Sequence, residues 1–226
     1  MGVFSGRWGG AGSPYRWAGY PQTWQENCLK LATKMSLRTI KPTTMRAIQE
    51  IVDAPLLELH KPKELAHGMK LHRVLSDGPF SFKVVATVPF PPSCFNGTGQ
   101  EDRQGIVLAI ADDVYKQLQS FSESFQAQLS TAYPDLDGKW VSPLKPATDK
   151  YPANLRAKIN LRGNKACSFY DLSGTPTGPP SDWRRLEVTA VIRIGGVYVQ
   201  ARGAGMLLDV THLQYDPAQS AQNPFA

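Results

Sequence analysis

Cysteine is scarce: Cys28, Cys94 and Cys167 are the only three in 226 residues, and they lie far apart. An odd, scattered set in a chain of this length argues against a disulfide scaffold and for a reducing intracellular compartment, such as a nucleus or a virus replication site. No run approaches 18 consecutive apolar residues, so neither a membrane span nor a membrane partner is expected. Catalytic signatures are missing as well. The chain contains no G-x-x-x-x-G-K-[ST], G-x-S-x-G, H-E-x-x-H or C-x-x-C. His60, His67 and His72 cluster, but they do not share a helical face, and no cysteine or carboxylate completes a zinc shell. Asp135-Leu136-Asp137-Gly138 lacks the later ligands of a calcium loop and reads as a turn. These absences lead to the expectation of a protein that is not an enzyme and needs neither metal nor cofactor.

Acidic residues are thin in two blocks. Residues 1–50 carry seven Lys/Arg against two acids, and residues 139–202 carry eleven against four. The intervening stretch is net acidic, and the whole chain is +6. Cations gathered in this way suit a surface that meets a polyanion.

The organisation reads as three parts. Residues 1–34 are a Gly/Pro-rich leader with no acid before Glu26. It is either an organelle transit segment or a flexible arm whose Arg7, Trp8, Tyr15, Arg16, Trp17 and Tyr20 help to hold nucleic acid. Residues 35–216 form the folded domain, and 217–226 a short flexible tail. Within the domain, Val114, Leu118, Phe121, Phe125 and Leu129 recur every three or four residues, which predicts a helix over 112–131 with Asp112 and Asp113 at its N-terminus. Strands are predicted at 80–88, 106–110, 155–161 and 166–170, and at 186–194, 197–202 and 206–215. Gly195-Gly196 is expected to be the two-residue turn of a hairpin, and Gly203 to Gly205 a break. Short strands punctuated by Gly and Pro, with one good helix, predict a mainly β (α+β) chain built on a small barrel with insertions.

Strand alternation then sorts the basic block into faces. In Leu155–Leu161, Arg156, Lys158 and Asn160 point away from Leu155, Ala157 and Ile159. Beyond the glycine pair, Tyr198, Gln200 and Arg202 alternate against Val197 and Val199. A basic, aromatic outer face suits single-stranded nucleic acid, because cations follow phosphates and rings stack on unpaired bases.

The order of segments resembles the OB-fold single-stranded-DNA-binding proteins of large DNA viruses and tailed phages. The resemblance runs through FSFKVVATVPF, DDVYKQLQSFSESFQAQLS, KWVSPLKP, YPANLRAKINLRG, SFYDLSG and VTAVIRIGGVYVQARGAGMLLDVTHLQY, over roughly residues 75–216. It implies an OB-like barrel that binds single-stranded DNA without sequence preference in replication, recombination or repair. Alternation and resemblance together nominate Trp140, Arg156, Lys158, Arg162, Tyr170, Trp183, Arg193, Tyr198 and Arg202 as contacts. Relatives of that kind often end in an acidic tail that recruits replication proteins. Here DPAQSAQNPFA has Phe225 but only Asp216 as an acid, so the sequence does not support recruitment by that route. The alternative reading is a structural or genome-packaging protein with a basic surface.

Overall fold

Alternation of apolar and polar residues makes each barrel strand two-faced. In a computed structural model, which describes residues 46–51, 53–94, 102–136 and 138–221, five such strands close into a ring. They are β1 (Ser81–Val88), β2 (Arg103–Ile110), β3 (Asn154–Asn160), β4 (Leu186–Gln200) and β5 (Gly203–Tyr215). Their order around the ring is β1-β2-β3-β5-β4-β1, with β3–β5 parallel and the other neighbours antiparallel. This five-stranded closure is the OB architecture. Phe82, Val84 and Val88, Ile106 and Leu108, Leu155 and Ile159, Ile192, and Leu208 and Val210 point inward and are buried.

The ring closes unevenly. Long ladders join β4 to β5, β4 to β1 and β2 to β3. The other two seams are short: β3–β5 pairs only at Lys158↔Asp209 and Ile159↔Val210, and β1–β2 only at Ala86↔Ile110 and Thr87↔Ala109. Proline explains the second gap. Pro89, Pro91 and Pro92 have no N–H to donate, so the ladder lapses and resumes at Ser93, which exchanges 2.9 and 2.8 Å bonds with Gly105. The lapse leaves Phe90 exposed.

Helix α1 (Asp112–Ala132) lies between β2 and β3 in sequence, and its five predicted stripe residues are all buried in the common core. The acidic pair occupies its first turn. A hydrogen bond from the Gln49 amide, helped by the Val114 N–H, holds the Asp113 carboxyl below its ordinary range. No helix among the described residues is long and apolar enough to cross a membrane.

The hairpin expectation needs correction. Gly195-Gly196 is a bulge inside one continuous 15-residue strand, β4, and the turn falls at Ala201-Arg202, where Gln200 pairs with Gly203. Gly203–Gly205 therefore begin β5 instead of breaking it. The glycines answer to packing. The strand Lys70–His72 pairs with Val197–Val199, and a Cβ at Gly196 (φ +134°) would run into the His72 carbonyl.

The described residues all fall in one compact unit, Met45–Ala226. The leader expected at 1–34 lies outside the described residues, as do 222–226. Residues 217–221, expected as flexible tail, form the short helix α2 (Pro217–Ala221), whose buried Ser220 accepts from the Asp182 N–H at 3.0 Å.

Candidate nucleic-acid interface

Register across β1, β2 and β3 defines rows on the outside of the barrel. Thr87, Ala109 and Asn154 form one row, and Val107 and Arg156 face each other in the next, on the Pro89 side of β1, while Val85 points outward on the other side of Thr87. Lys158 sits opposite Gly105 one step further, where Ser93 pairs with Gly105 from the other side, and Lys83 is outward on β1 toward the opposite end. The first two rows, with Val85, floor an open groove of about 1060 Å³. Its floor is apolar, with Val85, Val107 and Ala109, and its walls carry Phe90 from the proline loop and Tyr151 from the loop before β3. Phe90 is 63% exposed, Tyr151 66% and Val85 72%, which is unusual for such residues on a strand face or its flank. Lys145, Arg156 and Arg185 rim the groove against one carboxylate, Glu187. Among the described residues, none of the three cations has an ion-pair partner. Arg185 is held at φ +57° ahead of β4, a left-handed setting that costs a non-glycine residue about 1–2 kcal/mol.

The arrangement offers flat apolar surface for rings and unpaired cations for anions. No cluster of three or more His, Cys, Asp or Glu able to hold a metal occurs among the described residues.

The nominated residues are dispersed over the barrel. Arg156 and Lys158 point outward from β3 as alternation requires, and Arg156 lines the groove. Arg162 and Arg202 are exposed in turns, the first just after β3 and the second at the β4–β5 tip. Tyr170 is half-buried and stacked on His212, with ring centroids 6.1 Å apart and planes at 18°. The remaining four are engaged elsewhere. Trp183, expected to offer an exposed ring, is buried edge-on against Phe169 at 6.0 Å. Trp140 is half-buried and donates its indole N–H to Ser122 Oγ at 2.9 Å, against α1. Tyr198 is half-buried over Gly205, and burial raises its hydroxyl pKa above the ordinary value. Arg193 is bound to Asp209 Oδ2 at 3.2 Å, while Arg103 holds the other carboxylate oxygen at 2.8 Å.

Phe90, Tyr151, Lys145 and Arg185 were not nominated. Two signals in the sequence pointed to the groove, though not to Tyr151, Lys145 or Arg185: a phenylalanine bracketed by prolines directly after a strand, and a β1 outer face containing Val85 where polar residues are usual. The SFYDLSG motif, by contrast, is turn chemistry. Asp171 Oδ1 accepts from Ser173 Oγ at 2.6 Å and from the Thr175 N–H at 2.8 Å, which depresses its pKa, and Gly174 supplies φ +85°.

No protein-family model matches the chain, and no curated protein matches it. Among solved structures it is similar to gp2.5, a single-stranded DNA binding protein encoded by bacteriophage T7. That match has 12% identity and a TM-score of 0.48, and covers 62% of this chain and 87% of that one. It is also similar to the single-stranded DNA-binding protein from bacteriophage Enc34 in complex with ssDNA, at 12% identity and a TM-score of 0.41, over 73% and 97% of the two chains. The C-terminally truncated form of the Enc34 protein gives 10% identity and a TM-score of 0.41, over 74% and 96%.

Proposed function

We propose that the chain binds single-stranded DNA without reading base sequence, seating the strand in the groove over β1, β2 and β3 during replication, recombination or repair. The observation that carries this reading is the groove itself: exposed Phe90 and Tyr151 beside an apolar floor, rimmed by Lys145, Arg156 and Arg185. In OB folds the face of strands 2 and 3 is where oligonucleotides and oligosaccharides bind. A neutral sugar would not call for a cationic rim, whereas a strand with unpaired bases and phosphates uses both the rings and the cations. Lys158, on the next row, extends the path for phosphates, and binding alone accounts for the role.

The test is a titration of labelled oligo-dT, oligo-rU and an equal-length duplex at two salt concentrations. Preference for the single strands, with log K falling by roughly 3–5 per unit of log salt, is the expected result, at about 0.7 per neutralised phosphate. Equal affinity for duplex would instead support the genome-packaging alternative, and a flat salt response would remove the electrostatic basis of the reading.

A further inference from the structure

Next to the groove the basic surface contains an anion of its own. Asp209 lies opposite Lys158 across the β3–β5 seam and opposite Arg193 across β4–β5. Arg103 reaches it from β2, so arginines from two strands converge on one carboxylate. The carboxylate is 13% exposed, whereas the two arginines that bind it are 50% and 41% exposed. Arg193 Nε is buried and has no hydrogen-bond partner among the described residues, so Asp209 does not satisfy the guanidinium that it neutralises.

Half-exposed ion pairs add little net stability. What this one does add is charge cancellation, on the row that adjoins Arg156 and continues the groove through Lys158. A carboxylate held by two arginines occupies the place that a phosphate would take on the same surface.

We propose that Asp209 is an internal stand-in for a phosphate. It keeps Arg103 and Arg193 off the strand, which limits how many phosphates the protein neutralises and keeps the bound strand releasable. This rests on the single-stranded-DNA reading above.

The experiment is Asp209→Asn, which keeps the shape and removes the charge, titrated with labelled oligo-dT over a range of salt. The variant is expected to bind about three- to tenfold more tightly at low salt, with a slope steeper by about 0.7–1.4, one or two extra phosphates. Unchanged or weaker binding by a variant that melts like the native chain overturns the proposal. Should Asp209→Asn fail to fold, Arg103→Ala decides with Asp209 intact. Affinity within about twofold and an unchanged slope support the shielding, whereas a slope shallower by about 0.7 shows that Arg103 already touches the strand and overturns it. If the native chain does not bind oligo-dT at all, the proposed function has failed. Heparin chromatography then tests the shielding alone: later elution of Asp209→Asn sustains it, and identical elution overturns it.

Discussion

The outer face of β2–β3 and that of β4–β5 draw on the same residue types, cations and large rings on alternating strands, yet they are in opposite states. On the β2–β3 side, Phe90, Tyr151 and Arg156 stand at an open groove with no side-chain partner among the described residues. On the β4–β5 side, Arg193 is held by Asp209 and Tyr198 lies over Gly205, while Trp140 and Trp183 are committed to Ser122 and Phe169. Composition is shared and availability is not. A ring or a guanidinium serves a ligand only where the fold has left it without another partner.

The contrast is most sharply tested where a ring has gone into the core. Trp183→Ala should cost about 3–5 kcal/mol of folding stability, the usual loss for a buried aromatic. Denaturant unfolding measures that loss, and the fraction still folded should bind oligo-dT with native affinity. A drop in affinity without loss of stability would return Trp183 to the interface.

The groove rings should behave the other way round. Phe90→Ala and Tyr151→Ala should each weaken oligo-dT binding by about 1–3 kcal/mol, the range for one base–aromatic stack. Their melting temperatures should stay close to native, because rings that are mostly exposed contribute little burial. A pair of variants that melt early yet bind normally would erase the distinction between the two faces.

Tyr198 falls between these extremes. Tyr198→Ala should destabilise the fold by about 1–2 kcal/mol and leave affinity unchanged, because the ring packs on Gly205 and is not directed at the groove. Its raised pKa has a sign. The unfolded chain loses the tyrosine proton first, so this contribution to stability is intact below the ordinary value of 10.0 and declines as pH rises beyond it. Tyr198→Phe should therefore flatten the alkaline end of the stability profile, and an unchanged profile would place the hydroxyl in water.

Elements defined by local periodicity were legible. The α1 stripe and the inward face of β3 follow from spacing alone, because burial of a continuous apolar row fixes the facing of everything between. The glycine pair misled because its signal is ambiguous: φ above zero serves a primed turn and also a bulge under a crossing strand. Only the distant Lys70–His72 segment decides which. The site divides on the same line. Alternation within one strand was enough to place Arg156 and Lys158 on the outer face. Phe90 and Tyr151 belong to loops that meet only once the ring has closed, and Arg193 looks free until β5 supplies Asp209. Sequence gives a residue's facing, while its partners depend on topology.

The smallest expected effect isolates one cation on each face. Arg156 projects from β3 beside Val107 at the groove wall, and its guanidinium has no partner among the described residues. Removing it deletes one phosphate contact and little else, since an exposed side chain on a central strand can be truncated to Ala without opening the core. Arg156→Ala should therefore make the salt slope on oligo-dT shallower by about 0.7, with only a few-fold loss of affinity at low salt. Arg193→Ala is the matched control from the other face, and its slope should remain native because Asp209 already neutralises that charge. Measured side by side over the same salt range, the two arginines separate position from charge: both variants carry one cation fewer, and only one of them lines the groove. Equal changes in slope would mean that the strand senses the overall charge of the barrel and not the groove, and the comparison between the two faces would fail.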